Sequence, residues 1–397
     1  MSETIIKQIP HDDLVEQLAP LTRYAFYPSP PVDTSDFEKN LVLFDDCTTL
    51  GMYDGDKAVG SAYALHMTQN VRGKLLSMGG VAGVTSMPTY RRRGHVKRLL
   101  VELFSQMNAQ GMAVSTLYPF RESFYERLGY TTFLHRRRVS CNVSDLRSLI
   151  THEFPGTVTF GHQSDGWEEQ YAFMREHQIR VHGMGFFADV AMNHLYGKKE
   201  WWFAHAYDDN GRLIGVMPYR ITGFQGTFEV PYLYTQNSLA RYLLLQYIAR
   251  HIDQVTKLDI LRLLPDERPE TWLSDLNFKA EPDIWITPMG RVINVRGLAG
   301  ISVGDDAVTL AINDKFCKWN NGVFTFSSED GKLVITEKDA NTDVDAHLSI
   351  NGLSALIYGT HDLRDFRWRE WGQLSDGTIK RLQMLFPMQA PYLFTSF

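Results

Sequence analysis

From Leu41 to Met87 the apolar residues come in short strand-like runs rather than in helical steps. LVLF, TTLGMY, AVGSAYALHM and LLSMGGVAGVTSM are separated by turn signals at Asp54-Gly55 and Arg72-Gly73, which predicts an antiparallel meander. The preceding FYPSPPVD, Phe26–Asp33, reads as an ordered proline-rich loop. After Gly94 the period changes. Val96, Leu99, Leu100, Phe104 and Met107 recur at steps of three and four, which predicts a helix with one apolar face, stopped by Gly111. Met112–Pro119 then reads as a buried strand, and ESFYERLGY as a short helix ending at Gly129.

Antiparallel strands, helix, strand, helix, strand is the order of an α+β domain with a mixed sheet. Residues 150–285 repeat it more faintly: a hairpin about Asn210-Gly211, a strand in FEVPYLYTQN, an amphipathic helix over Ser238–Val255 and a strand in LDILRLLP. A third region opens near Arg291 with short strands and turns at Asp314, Asn321 and Asp330-Gly331. It closes with a helix around Asp376–Phe386 and the apolar tail PMQAPYLFTSF. At 397 residues the chain exceeds the size of one core. Three domains are expected, over residues 1–145, 146–288 and 289–397.

The net charge of −6 lacks the basic excess of a nucleic-acid binder. No run of 18 apolar residues predicts a membrane span. The N-terminus has no basic region followed by an apolar core, so no secretory leader is expected. Cys47, Cys141 and Cys317 are odd in number and widely spaced, which predicts reduced thiols, a cytoplasmic protein and no metal site.

The stretch richest in chemistry is VAGVTSMPTYRRRGHVKRLL, Val81–Leu100. A strand ends at Pro88, and a loop of arginines and a glycine leads straight into a helix. The first turn of a helix offers unpaired N–H groups and the positive end of the macrodipole. Gly94 permits close approach of an anion, and Arg92, Arg93 and Lys97 add charge. An arginine run alone reads as a solvated loop; strand, proline, arginines, glycine and helix in this order favour a phosphate site.

Arg91-Arg92-Arg93-Gly94-His95-Val96 resembles the Arg/Gln-x-x-Gly-x-Gly/Ala signature of the GNAT family of N-acetyltransferases, with Val96 in place of the usual small residue. PTYRRRGHVKRLL followed by FYERLGY, then MGRVINVRGL and a final phenylalanine, resembles the enhanced-intracellular-survival (Eis) branch of that family. The resemblance implies an active GNAT domain, a degenerate GNAT-like domain and a C-terminal sterol-carrier-protein-like α/β domain. TQNSLARYLL lacks Arg-x-x-Gly, so no second cofactor site is expected in the middle domain.

By the same resemblance the co-substrate is acetyl-CoA. Val84, Thr85 and Ser86 meet its pantetheine arm, and Arg92, Arg93, Gly94, His95, Val96 and Lys97 wrap its pyrophosphate. Phe120 and Arg121 flank its other side, where relatives often carry small or acidic residues. Tyr125 is implied as the general acid, with Tyr130 a competitor. The carboxylate of Phe397 is implied as the general base, preceded by Ser396 where some relatives place an acid.

The implied reaction is transfer of acetyl to a primary amine on an aminoglycoside-like, polyamine or lysine-like acceptor, small molecule or peptide. The rivals are a non-catalytic acyl-CoA or lipid-binding module and a protein-lysine acetyltransferase. Relatives form hexamers, which implies a homo-oligomer. Tyr24, Phe26 and Tyr27 either line an acceptor pocket or pack in the core.

Overall fold

Short helices occupy much of residues 11–44, including LVLF at Leu41–Phe44, and long strands joined by tight turns build Cys47–Ser86. The computed structural model describes residues 4–282 and 286–397. After β1 (Ile5–Gln8) come α1 (Ala19–Phe26), α2 (Ser35–Lys39), β2 (Cys47–Asp54), β3 (Lys57–Val71) and β4 (Lys74–Ser86). The β3–β4 turn holds Arg72 at φ 48° and Gly73 at φ 76°, the left-handed pair that matches strand twist. Arg72 is not a glycine, and it is buried. Its guanidinium donates to the carbonyls of Leu356 at 3.0 Å, Ile357 at 2.7 Å and Pro387 at 2.9 Å. Two of these end the helix Ile350–Tyr358, where the last carbonyls lack partners of their own.

Beyond the arginine loop, α3 (His95–Ala109) crosses back and β5 (Val114–Leu117) lies parallel to β4. α4 (Glu122–Glu126) and the short strand Thr131–Thr132 follow. Met289–Val292 then inserts between β5 and Thr131–Thr132, and Gly185–Phe187 pairs with β3. One eight-stranded sheet thus draws on three separate stretches of chain. Leu99, Leu100, Leu103, Phe104 and Met107 of α3 are buried against Leu50, Ala62, Val81, Tyr130 and Met289. Each such side chain contributes about 1.5–3 kcal/mol.

By contacts the chain forms two units, residues 4–133, 182–191 and 286–397 in one and 134–181 with 192–282 in the other. The first unit also holds the four-stranded sheet Lys332–Lys338, Gly322–Glu329, Ala307–Asn313, Ala346–Ser349. In the second unit two expected elements are shorter than the pattern suggests. The helix ends at Ala249, because Val255 opens a strand that pairs with Gly226–Val230. FEVPYLYTQN splits into Gly226–Val230 and Tyr234–Thr235 at Pro231, which has no N–H for a ladder. The architecture is α+β throughout. Among the described residues no helix is long and apolar enough to cross a membrane.

Candidate active site

β4 and β5 pair only from Met78–Val114 to Val81–Leu117. β4 runs on to Ser86, still bonded to β3, whereas the chain after Leu117 turns through Pro119 into α4. The ladder between the two parallel strands therefore stops at Val81, and β5 pairs with no residue of Ala82–Ser86. Main-chain groups left there need partners.

A bulge sits at the same place. Ser61 pairs with Thr85 and Tyr63 with Ala82, so Gly83 and Val84 together oppose Ala62. Gly83 has φ 56°, and a Cβ there would stand 1.9 Å from the ring of Tyr63. No larger residue fits. The Ser61 hydroxyl donates to the Gly83 carbonyl at 2.9 Å and lies 2.7 Å from Thr85 Oγ1. Thr85 is buried in that contact, while Val84 and Ser86 are half-buried. The signal for the bulge, a glycine inside the strand pattern VAGVTS, passed unread in the sequence.

After Ser86 the strand gives way to a turn at Pro88–Tyr90. Arg91 Nε donates back to the Ser86 carbonyl at 3.1 Å and pins the loop to β4. Arg92, at φ 62°, and Gly94, at φ 79°, are both left-handed. A Cβ on Gly94 would meet nothing within 4 Å, so glycine serves backbone geometry and open approach rather than packing. The first intrahelical bond of α3 runs from Arg98 N to the Gly94 carbonyl at 3.1 Å. The amides of His95, Val96 and Lys97 precede it, no side chain caps them, and the first turn holds no acid.

Arg92 and Arg93 are exposed, and the Arg93 guanidinium lies 5.7 Å from the Tyr90 ring. Partial desolvation, then Arg98 and Arg93, lower the pKa of His95. Lys97 Nζ leans over the Phe316 ring at 5.0 Å. The helix Ser238–Ala249 in the second unit differs: the Asn237 side chain accepts the Ala240 N–H and caps that terminus.

Tyr125 is buried among Phe120, Phe124 and Tyr130, with Phe120 edge-on at 5.6 Å. Desolvation, and secondarily Tyr130, push its pKa above the ordinary phenol value. Phe120 is exposed, and Arg121 stands exposed at the start of α4. Tyr130 is more deeply committed. Its hydroxyl lies 2.8 Å from Ser115 Oγ, and Ser115 donates to the Gly79 carbonyl at 2.8 Å. α4 is held from the C-terminal region. Asn351 Nδ2 donates to the carbonyls of Glu126 at 2.8 Å and Tyr130 at 3.0 Å, and Arg369 pairs with Glu126 at 3.2 Å.

The tail ends on this sheet. Tyr392, Leu393, Phe394 and Thr395 are buried. The Phe397 ring packs edge-on against Tyr118 at 5.6 Å and Phe187 at 6.0 Å. A Cβ on Gly80 would stand 3.1 Å from its Cζ. Gly80 is one residue before the β4–β5 ladder stops. Tyr24, Phe26 and Tyr27 are exposed rather than part of a core. Among the described residues no group of three His, Cys, Asp or Glu side chains is placed to hold a metal ion.

Comparison with known proteins agrees with this geometry. Residues 6–133 match the family described as Acetyltransferase (GNAT) domain, and residues 291–394 match the Sterol carrier protein domain. A search of curated proteins finds no match. The fold is shared with a GCN5-related N-acetyltransferase from Kribbella flavida, at 22% identity and TM-score 0.83, over 100% of this chain and 98% of that one. It is shared also with a GCN5-related N-acetyltransferase from Anabaena variabilis ATCC 29413, at 18% identity and TM-score 0.83 over all of both chains. Eis1 from Mycobacterium abscessus aligns over all of both chains at 16% identity and TM-score 0.78.

Proposed function

We propose that this chain, an acyltransferase carrying a GNAT domain and a C-terminal sterol carrier protein domain, transfers acetyl from acetyl-CoA to a primary amine by direct attack. Three observations support the reading: the uncapped N-terminus of α3 after the arginine loop, the bulged strand end Ala82–Ser86 beyond the β4–β5 ladder, and the Phe397 ring packed beside Gly80 near the end of that ladder.

The residues present fit acetyl-CoA. Three free amides at His95–Lys97 and the cations Arg92 and Arg93 suit a pyrophosphate. The bulged edge at Val84 and Ser86 offers backbone groups to an amide-bearing arm, and Thr85 supports that edge through Ser61. Phe120 and Arg121 stand exposed on the opposite wall. Acetyl-CoA supplies the thioester.

Holding amine and thioester together removes most of the entropic barrier. The Phe397 carboxylate accepts a proton from the ammonium, directly or through one water, and frees the attacking nitrogen. Backbone donors near Val84 polarise the thioester carbonyl. Tyr125 gives its phenolic proton to the departing sulfur. Desolvation keeps Tyr125 in its protonated form across neutral pH, ready to donate. Tyr130 is the poorer donor, because its hydroxyl is engaged with Ser115.

Acceptors with primary amines on aminoglycosides, polyamines or lysine-like groups fit this chemistry, with Tyr24, Phe26 and Tyr27 as exposed aromatic surface for them. A homohexamer in the cytoplasm is part of the reading. A lipid-binding module stays the rival: one cavity of the C-terminal region, lined by Ala355, Leu356, Leu363 and Phe386, holds about 180 Å³, and another, lined by Ile312, Val323, Leu348 and Ile350, holds about 890 Å³, within the roughly 300–1,000 Å³ of ligand pockets. The test is CoA release from acetyl-CoA across a panel of aminoglycosides, polyamines and lysine peptides. Saturable acetyl-CoA binding with no turnover on any amine would replace the enzyme by a binding module, and turnover on peptides alone would make it a protein-lysine acetyltransferase.

A further inference from the structure

We propose that His182–Phe187 and Tyr118 form a docking groove for the C-terminal tail, in which Tyr118 is the positioning residue that fixes the terminal carboxylate. The catalytic consequence rests on the assignment of that carboxylate as base; the docking itself does not.

His182–Ala191, which contains the segment, packs with the first unit although residues 134–181 before it and 192–282 after it belong to the second. Gly185–Phe187 pairs antiparallel with Met67–Gln69 of β3, and the Gly183 N–H donates to the Asn70 carbonyl at 2.7 Å. The tail lies along it residue by residue. Tyr392 N donates to the His182 carbonyl at 2.8 Å. Phe394 meets Phe186 edge-on at 5.5 Å, and Phe397 meets Phe187 at 6.0 Å.

Two glycines make room for it. Gly183 has φ 83°, and a Cβ there would stand 2.7 Å from Tyr392 N and 2.9 Å from Pro391 Cβ. A Cβ on Gly185 would stand 3.0 Å from Leu393 Cδ1. The groove is rigid at its start, because His182 Nδ1 accepts the Arg72 N–H at 3.1 Å and Nε2 faces the Tyr358 carbonyl at 3.2 Å. Burial keeps that imidazole neutral.

At the far end the anchor is Tyr118, whose hydroxyl donates to the Thr395 carbonyl at 2.9 Å while its ring supports Phe397. The Thr395 hydroxyl, buried without a partner, takes no part. The bond to Tyr118 sits two residues before the carboxylate, so little chain separates it from the group to be placed.

Two substitutions read this out. Tyr118→Phe keeps the ring on Phe397 and removes only the bond to Thr395. Gly185→Val presses on Leu393 and, from a Cβ at 3.2 Å, on Met78 Cε; Leu393→Ala gives back the room on the tail's side. In the full-length protein, carboxypeptidase should release Phe397 several-fold faster from Tyr118→Phe and Gly185→Val than from the parent, with the Gly185→Val/Leu393→Ala pair slower than Gly185→Val alone. Equal trimming of all would overturn the groove.

In turnover, Tyr118→Phe should lower kcat about fivefold to tenfold, the worth of one neutral hydrogen bond, with KM for acetyl-CoA unchanged. In a chain lengthened by one glycine after Phe397 the same substitution should cost nothing more. A full second loss there would make Tyr118 act by itself and end the positioning role. A lengthened chain with undiminished kcat would instead remove the carboxylate as base, while the carboxypeptidase result still decides the groove.

Discussion

The hydroxyl of Tyr130 lies 2.8 Å from Ser115 Oγ, and Ser115 passes the contact on to the carbonyl of Gly79. The proton of Tyr130 is thereby engaged inside the sheet, which supports the proposal of Tyr125, whose neighbours are aromatic rings, as the general acid. Tyr125→Phe should lower kcat by roughly 10²-fold with acetyl-CoA binding retained. Tyr130→Phe should cost about 1 kcal/mol of stability and leave kcat within a few-fold. Because burial raises the pKa of Tyr125, an alkaline loss of kcat from its ionisation should begin above the ordinary phenol value of about 10. Steady-state kinetics on both variants, with a pH profile of the parent from 7 to 11, checks this, and the opposite ranking would move the acid to Tyr130.

Arg92→Ala with Arg93→Ala should raise KM for acetyl-CoA at least tenfold, about 1.4 kcal/mol. The parent should lose affinity with added salt, and the double variant much less so, since its binding no longer depends on those screened charges. Gly94→Ala adds no clash but forces a Cβ into a left-handed backbone, at about 1–2 kcal/mol. Unchanged cofactor affinity in the arginine pair would remove the phosphate site from this turn.

Gly83→Ala should be far more damaging than Gly94→Ala. Its Cβ meets the half-buried Tyr63 ring, and it carries the strain of φ 56° as well. A loss of about 2 kcal/mol or more is expected in urea unfolding, together with weaker acetyl-CoA binding. If Gly83→Ala binds acetyl-CoA like the parent, the bulged edge is not part of the site.

Arg291 and Asp314 form an ion pair at 2.6 Å with neither side chain exposed. Arg291 also donates to the Leu128 carbonyl, just beyond α4, and sits 4.4 Å from the centre of the Phe104 ring. Breaking such a pair from one side leaves a buried charge and costs about 3–5 kcal/mol. Arg291→Met should lose that much in denaturant unfolding, and adding Asp314→Asn, which removes the charge but keeps an oxygen for the amides of Phe316 and Cys317, should recover part of it. Equal stability of both variants would contradict the pairing.

Acid should destabilise the fold before the carboxylates titrate. Burial first, then Arg72, depresses His182 to about 3. His177 is lowered to about 4, mainly by burial. Unfolded histidines bind protons near pH 6.5. Between about 6.5 and 3 the unfolded chain therefore holds protons that the folded one refuses, and stability falls as pH falls. Each such histidine takes up to about 1.4 kcal/mol per pH unit. His182→Gln, whose amide can accept from Arg72 and donate to Tyr358, should flatten the decline in urea midpoint from pH 7 to 5. An unchanged slope would exclude His182 as a source of it.

Local chemistry was legible in the residues themselves. The turns at Arg72-Gly73, Asn210-Gly211 and Asp330-Gly331, the apolar face of α3 and the arginine–glycine entry to it depend on neighbours within a few positions, so period and dipeptide suffice to place them. What long-range packing decides was not. MGRVINV reads as the start of a third region, yet Met289–Val292 completes the first sheet beside β5, because only a folded β5 edge offers it a partner. His182–Phe187 carries no local mark of its purpose; its glycines acquire meaning once Pro391, Tyr392 and Leu393 lie against them. The engagement of Tyr130 likewise depends on Ser115, brought opposite by the sheet. A one-dimensional pattern records what each residue prefers, and a bulge, an inserted strand or a seated tail exists only when distant segments compete for the same hydrogen bonds and the same space.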